Sequence, residues 1–400
     1  MYGFISINHD IIFDLIEHPY FQRLRRIQQL GLTSLVYPGA MHTRFQHALG
    51  ALHLMNLSLE VLRSKGIDIT NDEAEAVSIA ILLHDIGHGP YSHALEHTII
   101  SSINHEAISR IIMEDLNKEF DGQLTLAIKI FTNKYKKKFL HDLVSSQLDM
   151  DRLDYLNRDS FFTGVYEGVI GYDRIIKMLN VHKDRLVVEG KGIYSIEKFI
   201  IARRLMYWQV YLHKTVLSAE HMVVKILERA MWVVRNGGNL ISNEPLMYFL
   251  KKEVKPNDFE SNHEALEHFT EMDDYDVFTA VKNWQNCEDS ILSTLCTNLV
   301  QRRLNKVHLR NNKFDAGEVA ALQSKVERLF RLKKGDGKFL VYSDSTSNYA
   351  YKSDEDRINI LFKNGVVRDI AVASDQLNIR MLSAPVVKYF LSYPKELSED

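Results

Sequence analysis

The chain is predicted to be mainly α-helical, with a smaller α/β region at its C-terminal end. Three observations carry this. Apolar residues recur at helical spacing through most of the first 330 positions. Thr43-Arg44-Phe45-Gln46 and Thr70-Asn71-Asp72-Glu73 have the Ser/Thr-x-x-Glu/Gln form that satisfies orphan amides at a helix start. From about Gly335 the pattern turns to short β-branched and aromatic runs.

The elements follow in order. The first capping sequence precedes Leu49, Leu52 and Leu57; the second precedes Ala76, Ile79, Leu82 and Leu83. The second of these helices is predicted to stop near Gly87, since Gly89 and Pro90 follow at once. Pro90 is placed to open a further helix through Leu95 and Ile99. Lys183-Asp184 between small apolar runs predicts a hairpin over Val181–Val188. One long helix is predicted from about Ser195 to Arg235, ended by Gly237-Gly238. Strands are predicted at Phe339–Tyr342, Ile358–Phe362 and Val386–Phe390, with a turn at Lys363-Asn364-Gly365. The chain is therefore divided into a helical core (1–235), a helical extension (236–334) and a small α/β region (335–400).

Composition narrows the function classes. With 46% hydrophobic and 25% charged residues, seven prolines and 19 glycines in 400 residues, disorder and fibre are excluded. A net charge of -3 gives no global field for nucleic acid. The basic runs Lys134–Lys138 and Arg302–Arg310 read as solvated faces before they read as nucleic-acid sites. Cys287 and Cys296 cannot build a disulfide framework or a four-thiolate zinc site. Asp10, Asp14 and Glu17 stand where a secretory segment would be apolar, and the run Ala76–Leu83 is far below the roughly 20 residues of a membrane span. The expectation is a soluble cytoplasmic protein without a membrane partner.

Seventeen histidines are the compositional oddity. Three of them fall with an aspartate in His84-Asp85-Ile86-Gly87-His88-Gly89-Pro90-Tyr91-Ser92-His93, at the end of an apolar helix. A carboxylate and an imidazole side by side at a helix terminus can reach one cation and give it mixed N/O ligation. Two neighbours cannot complete a shell; His47 and Asp151 are the best further candidates. A single histidine is more often a cap or a core residue than a ligand. Joint occurrence shifts that balance, because a buried His–Asp pair without a cation is costly to desolvate.

These blocks resemble the HD-domain phosphohydrolase superfamily, whose metal shell runs H…HD…D. More narrowly, the chain is similar to the deoxynucleoside triphosphate triphosphohydrolase branch, with the bacterial dGTP triphosphohydrolases and the vertebrate SAM-and-HD-domain enzyme. The likeness begins at Pro19–Gly31 and runs through Tyr37-Pro38-Gly39-Ala40, Arg44–His47, His84–His93 and Asn104-His105-Glu106. It continues through Asp151–Tyr155, Arg158-Asp159 and Tyr211–Lys214, so that it covers about residues 1–235. The resemblance implies a helical HD-domain core with metal ligands His47, His84, Asp85 and Asp151. The metal would be one divalent transition ion (iron, manganese, nickel, cobalt or zinc), with magnesium on the triphosphate. The implied reaction is attack of an activated water on the α-phosphorus, releasing deoxynucleoside and intact triphosphate. His93 is the candidate general acid, oriented by Glu96 one helical turn on, with His88 or His105 as alternatives. Arg44, Arg152 and Arg203 match phosphate-gripping positions; Arg152 stands where many relatives carry lysine. Tyr155 and Tyr211 match aromatics on the deoxyribose, and Gln29 and Asp159 match readers of the 3′-hydroxyl.

Glu17, Gln22 and Arg25 fall on positions that bind an activating nucleotide in some relatives. The family enters this region through Asp-Pro-x-x-Gly, and Met1-Tyr2-Gly3 stands inside that motif. Two expectations stay open there: a regulatory pocket lacking its upstream half, or a start further upstream. A homo-oligomer, dimer or tetramer, is implied by the resemblance alone. Two other readings remain: an HD phosphohydrolase acting on a nucleotide monophosphate, an alarmone or a cyclic dinucleotide, and a nucleotide-sensing or nucleic-acid-binding HD protein. The base preference is left open.

Overall fold

Helix α1 (Asp10–Glu17) buries Ile11, Ile12, Leu15 and Ile16 on one face, and the helices that follow close around the same apolar centre. The computed structural model describes residues 1–91, 98–100, 103–261, 263–348, 351, 357–375 and 386–398. The fold is mainly α, with small sheets joined to its C-terminal part.

Both predicted capping sequences open helices. In α2 (Arg44–Ser64) the Thr43 amide donates to Gln46 Oε1 at 2.9 Å. In α3 (Asn71–Leu83) Thr70 and Glu73 exchange bonds of 2.9 and 3.2 Å. Helix α3 ends just before His84, close to its expected stop. The helix predicted from Pro90 through Leu95 falls largely on residues 92–97, outside the described residues. Next come α4 (His105–Glu119), capped by Asn104, and α5 (Met150–Thr163), capped by Asp149. Helix α2 packs against both α3 and α5.

The predicted hairpin is present as β1 (Leu179–His182) and β2 (Arg185–Glu189). Lys183 and Asp184 at its tip both have positive φ, as a two-residue turn matching strand twist requires.

The predicted single helix over 195–235 is corrected. Helix α6 (Ile193–Met206) passes into a π-helical turn, Tyr207–Tyr211. The chain then breaks at His213 before α7 (Lys214–Arg235). The break is local chemistry: His213 adopts extended backbone and its side chain accepts from the Thr215 amide at 3.2 Å, starting a new helix. Apolar spacing continues through both halves, so periodicity could not reveal it.

Two strands also differ from expectation. Residues 336–339 form a 3₁₀ turn, so the strand predicted at Phe339–Tyr342 lies later, in β4 (Tyr342–Asn348), after β3 (Lys306–Arg310) in the helical extension. The mostly polar Tyr-Ser-Asp-Ser-Thr-Ser-Asn of β4 carries no apolar alternation, because it lies at a sheet edge. Then β5 (Asn359–Leu361) and β6 (Val367–Asp369) flank the predicted turn, and β7 (Val386–Tyr393) ends the set. Two sheets form, in the orders β1-β2-β5-β6 and β3-β7-β4. Each pairs strands from both sides of residue 335, through β2 with β5 and β3 with β7.

One apolar cluster extends from Ile11 to Leu397. Much of the basic character at 134–138 is engaged internally: Lys137 bonds Asp68 and Glu73, and Lys138 bonds the Asn133 carbonyl. Arg302 likewise donates to the Leu35 carbonyl. No described helix is long and apolar enough to cross a membrane. Both cysteines are free thiols, Cys296 buried and Cys287 half-buried.

Candidate active site

The end of α3 delivers His84 and Asp85 to the first turns of α2 and α5. Gly87 permits this approach, since a Cβ there would stand 2.3 Å from both the His105 carbonyl oxygen and the Ser109 amide. Ser109 Oγ accepts from the Gly87 amide at 2.9 Å and donates to the His84 carbonyl at 2.7 Å, pinning the loop to α4.

Each histidine is oriented by its Nδ1. His47 Nδ1 lies 2.7 Å from Asp154 Oδ2, and His84 Nδ1 lies 2.6 Å from the Ile81 carbonyl oxygen. Both partners only accept, so in the neutral ring the proton sits on Nδ1 and Nε2 is the electron-pair donor. Each Nε2 is buried without a hydrogen-bond partner of good geometry among the described residues. They face one carboxylate: Asp151 Oδ1 is 3.1 Å from His47 Nε2 and 3.5 Å from His84 Nε2. Asp85 closes the group, 3.4 Å from His84 Nε2 and 3.8 Å from His47 Nε2. Ligand atoms of His47, His84 and Asp151 lie within 4.8 Å of one another, and so do those of Asp85, His88 and His105. Two imidazoles oriented through Nδ1, with their Nε2 atoms turned toward two carboxylates, are a donor set that fits a divalent transition ion.

The electrostatics agree. Burial alone would lower the His47 pKa, but Asp151 and Asp154 outweigh it and push it up to about 10, so the same carboxylates that favour a second proton on the ring favour a cation that would displace it. Burial would raise Asp151, but His47 and His84 hold it well below the usual carboxylate range. Asp85 is likewise held low against burial by His84, His88 and Arg44. These carboxylates are ionised at neutral pH and attract positive charge to the one point both Nε2 atoms face. His88 moves the other way, down to about 3, through burial and then the nearby Arg44. Its Nε2 is 3.3 Å from Asp85 Oδ1, and its ring stacks on His105 at 3.9 Å.

This cluster floors a cleft of about 1020 Å³. Gln29, Arg44, Arg152, Tyr155, Asp159, Arg203 and Tyr211 all line it, together with His84, Asp85, His88, His105 and Asp151. His47 lies fully buried behind the wall. Arg44 Nη1 pairs with Asp85 at 2.5 Å, and Arg152 Nη1 with Asp149 at 2.8 Å. Buried Nε atoms of Arg152 and Arg203, and Gln29 Oε1, have no hydrogen-bond partner among the described residues. Tyr155 and Tyr211 meet edge to face at 6.3 Å, and Tyr211 Oη donates to Asp159 Oδ2 at 2.7 Å.

Four contributors were not singled out from the sequence. His42 Nε2 is 2.7 Å from Asp159 Oδ1, and Asp154 both orients His47 and holds Arg158 at 2.8 Å. Asp149 caps α5 and grips Arg152. Tyr207 also lines the wall, its ring 5.2 Å from that of Tyr211 four residues on in the π-helical turn. Asp149 and Asp154 flank Asp151 in one short run, and Tyr207 stands four residues before Tyr211 on one helical face, which were the available signals; His42 had none.

His93 and Glu96 lie outside the described residues. Glu17, Gln22 and Arg25 do not line the cleft: Gln22 donates to the Ile16 carbonyl, Arg25 donates to Gln22 and stacks on Phe45, and Glu17 is exposed.

A helical fold that brings His-Asp from one helix end against a histidine and an aspartate from two others defines a hydrolase built on an HD-type centre. The comparisons agree. A family profile described as HD domain matches residues 44–159, and one described as HD associated region matches residues 170–238. The Bacillus subtilis protein YwfO is 31% identical over 99% of this chain and 91% of its own length. A crystal structure of a phosphohydrolase from Bacteroides thetaiotaomicron is similar with a TM-score of 0.94 and 50% identity, covering 98% of this chain and 97% of the other. A Dictyostelium discoideum homolog of the deoxynucleoside triphosphate triphosphohydrolase SAMHD1 is 32% identical over 55% of this chain and 46% of its own, so the match spans about half of that relative. The chain belongs to the HD-domain phosphohydrolases.

Proposed function

We propose that this protein is a metal-dependent dNTP triphosphohydrolase, converting dNTP and water to deoxynucleoside and inorganic triphosphate. The observation that carries this reading is the composition of one cleft: the His47–His84–Asp85–Asp151 group lies beside three arginines and a tyrosine-lined wall. Its volume suits a nucleotide. The SAMHD1-named relatives support the substrate class.

His47, His84, Asp85 and Asp151 would hold one divalent transition ion (iron, manganese, nickel, cobalt or zinc), while magnesium would travel on the triphosphate. A metal in that place supplies Lewis acidity and lowers the pKa of a water toward neutrality. The chain's own groups do the rest. Arg44, Arg152 and Arg203 grip the phosphates with planar, charge-assisted bonds. Tyr155 and Tyr211 pack on the sugar and penalise a 2′-hydroxyl sterically. Asp159, held by His42 and Tyr211, accepts from the 3′-hydroxyl, and Gln29 offers its Oε1 to the same group. His93, with Glu96 to orient it, is assigned to give the proton to the leaving 5′-oxygen, and His105 is the alternative donor; His88, kept neutral by burial and Arg44, is disfavoured as an acid. Glu17, Gln22 and Arg25 are assigned to an activating nucleotide, and the working form to a homo-oligomer.

Product analysis tests the reading. Purified protein is incubated with each of the four dNTPs, with and without GTP, in magnesium or manganese, and tripolyphosphate is sought by chromatography. Deoxynucleoside with intact triphosphate is expected, abolished in His84→Ala. Absence of tripolyphosphate from every dNTP, with turnover of a monophosphate or cyclic dinucleotide instead, overturns it. Loss of GTP dependence in Arg25→Ala is expected, and unchanged dependence removes the regulatory assignment.

A further inference from the structure

The turn between α8 (His263–Glu271) and α9 (Asp274–Trp284) belongs to the helical extension, beyond both matched family regions. It nevertheless meets the catalytic loop through two reciprocal buried contacts. The Asp274 carboxylate, 6% exposed, accepts from the Gln28 amide at 2.8 Å and from the Tyr91 amide at 3.0 Å. In return the Arg23 guanidinium, 1% exposed, donates to the Ile86 and His88 carbonyls at 2.9 Å each, and to those of Phe269 and Met272 at 3.3 and 3.2 Å. Arg26 and Asp273 add an ion pair at the rim.

The two amides that Asp274 joins lie 63 positions apart in the chain and flank the cleft on different segments. Gln28 precedes Gln29 and bridges Thr43, so it is tied to the strip carrying His42 and Arg44. Tyr91 closes the His84–Tyr91 loop and lines the cleft. It has φ +49°, a left-handed backbone that a residue with a side chain adopts only when its surroundings impose it. Gly31, at φ +47°, lies against the Tyr91 ring. A carboxylate is the side chain suited to this place: it offers two acceptor oxygens and no donor to two converging N–H groups.

We propose that Asp274 is a positioning residue of the active site, stapling the Gln29 wall to the His84–Tyr91 loop from outside the HD core. The staple rests on the dNTP reading for its consequence, since Gln29 and that loop face the sugar and the phosphates there. It touches neither substrate nor metal ligands, and it acts by keeping two walls of the cleft at one separation. Small errors in such a separation are costly to rate.

The test compares wild type with Asp274→Ala and the isosteric Asp274→Asn in the full chain. Three measurements are made: amide hydrogen exchange by mass spectrometry, metal content, and kcat and KM for dNTP against rNTP. In Asp274→Ala, exchange is expected to accelerate in the segments around 27–31 and 86–91 while the rest keeps its protection. Metal content should stay at the wild-type level, kcat/KM for dNTP should fall by about ten- to a hundredfold, and discrimination against rNTP should narrow. Asp274→Asn, which keeps one acceptor but turns an NH₂ toward the other amide, should fall between. If Asp274→Ala does not fold, the same readings in Asp274→Asn decide. Unchanged exchange in those two segments, or a folded variant with wild-type kcat and KM, overturns the proposal. Should wild type turn over no dNTP, the dNTP reading falls by itself, and the exchange pattern still decides for or against the staple.

Discussion

Asp154 determines what His47 can do. A histidine with a free choice of tautomer is an indifferent ligand; one whose Nδ1–H is fixed on a buried carboxylate presents Nε2 and gains basicity. Asp154→Asn is therefore expected to weaken metal affinity by about 10- to 100-fold, read by competition with a chelator. Removing the ligand itself is expected to be cleaner: His84→Ala should lose metal with its helical circular dichroism retained, and normal metal content in that variant would sink the ligand assignment. Gly87 is a packing counterpart to these chemical residues. Its missing Cβ is replaced by α4 backbone, which cannot swing away. Gly87→Ala is expected to cost about 1–3 kcal/mol in denaturant unfolding, by overpacking.

Among the elements, the π-helical turn at 207–211 carries part of the tyrosine wall of the cleft. It puts Tyr207 and Tyr211 together on the cleft wall while Gln209 presents its carbonyl to Tyr37. Deleting Gln209 should return the segment to α geometry and rotate Tyr211 by about 100°. The expected outcome is loss of dNTP-over-rNTP selectivity with far-UV dichroism unchanged; intact selectivity would show that the turn is incidental. Helix α3, which carries the His-Asp pair, is anchored at its other end by Glu73. Burial would raise the Glu73 pKa, but bonds from Lys137 and Tyr135 and from the Thr70 amide outweigh it, so the folded value lies below the ordinary 4.5. A group with a depressed folded pKa contributes stability that is present above its unfolded value and lost as pH falls through the folded one. Glu73→Gln should accordingly lower Tm at pH 7, and the gap to wild type should narrow as pH drops below about 4.5. A gap independent of pH would mean the capping geometry, not the charge, is what matters.

At the scale of the whole molecule, the C-terminal residues complete sheets that the earlier chain begins. Strand β5 pairs in parallel with β2, and β7 lies between β3 and β4. Arg229 of α7 ties the same halves together, bonding Asp289 at 2.7 Å and Asp336 at 3.0 Å. A chain cut after residue 334 would expose the edges of β2 and β3 and the apolar faces beneath them, which is an aggregation hazard. It should be recovered in aggregates, or unfold well below the full chain's Tm; a soluble truncation with an unchanged transition would show that the sheets are dispensable.

The sequence by itself determined the helical class, both capping boxes, the β1–β2 hairpin and the residues that meet at the centre, because each is written in local spacing or in short motifs of distinctive side chains. His47, His84, Asp85 and Asp151 could be picked out as candidates by residue type, while the arginines and tyrosines that line the cleft were named only through the family resemblance. Local spacing could not show the break at His213, since apolar periodicity runs through it, nor the polar edge strand β4, whose partners in β7 lie 38 to 50 positions later. Nor could it show His42 against Asp159, or Asp274 between Gln28 and Tyr91. Those contacts join residues over a hundred positions apart, and ordinary polar side chains announce no partner. Only the tertiary structure decided them, because a buried carboxylate must find donors wherever the packed helices bring amides and imidazoles within reach.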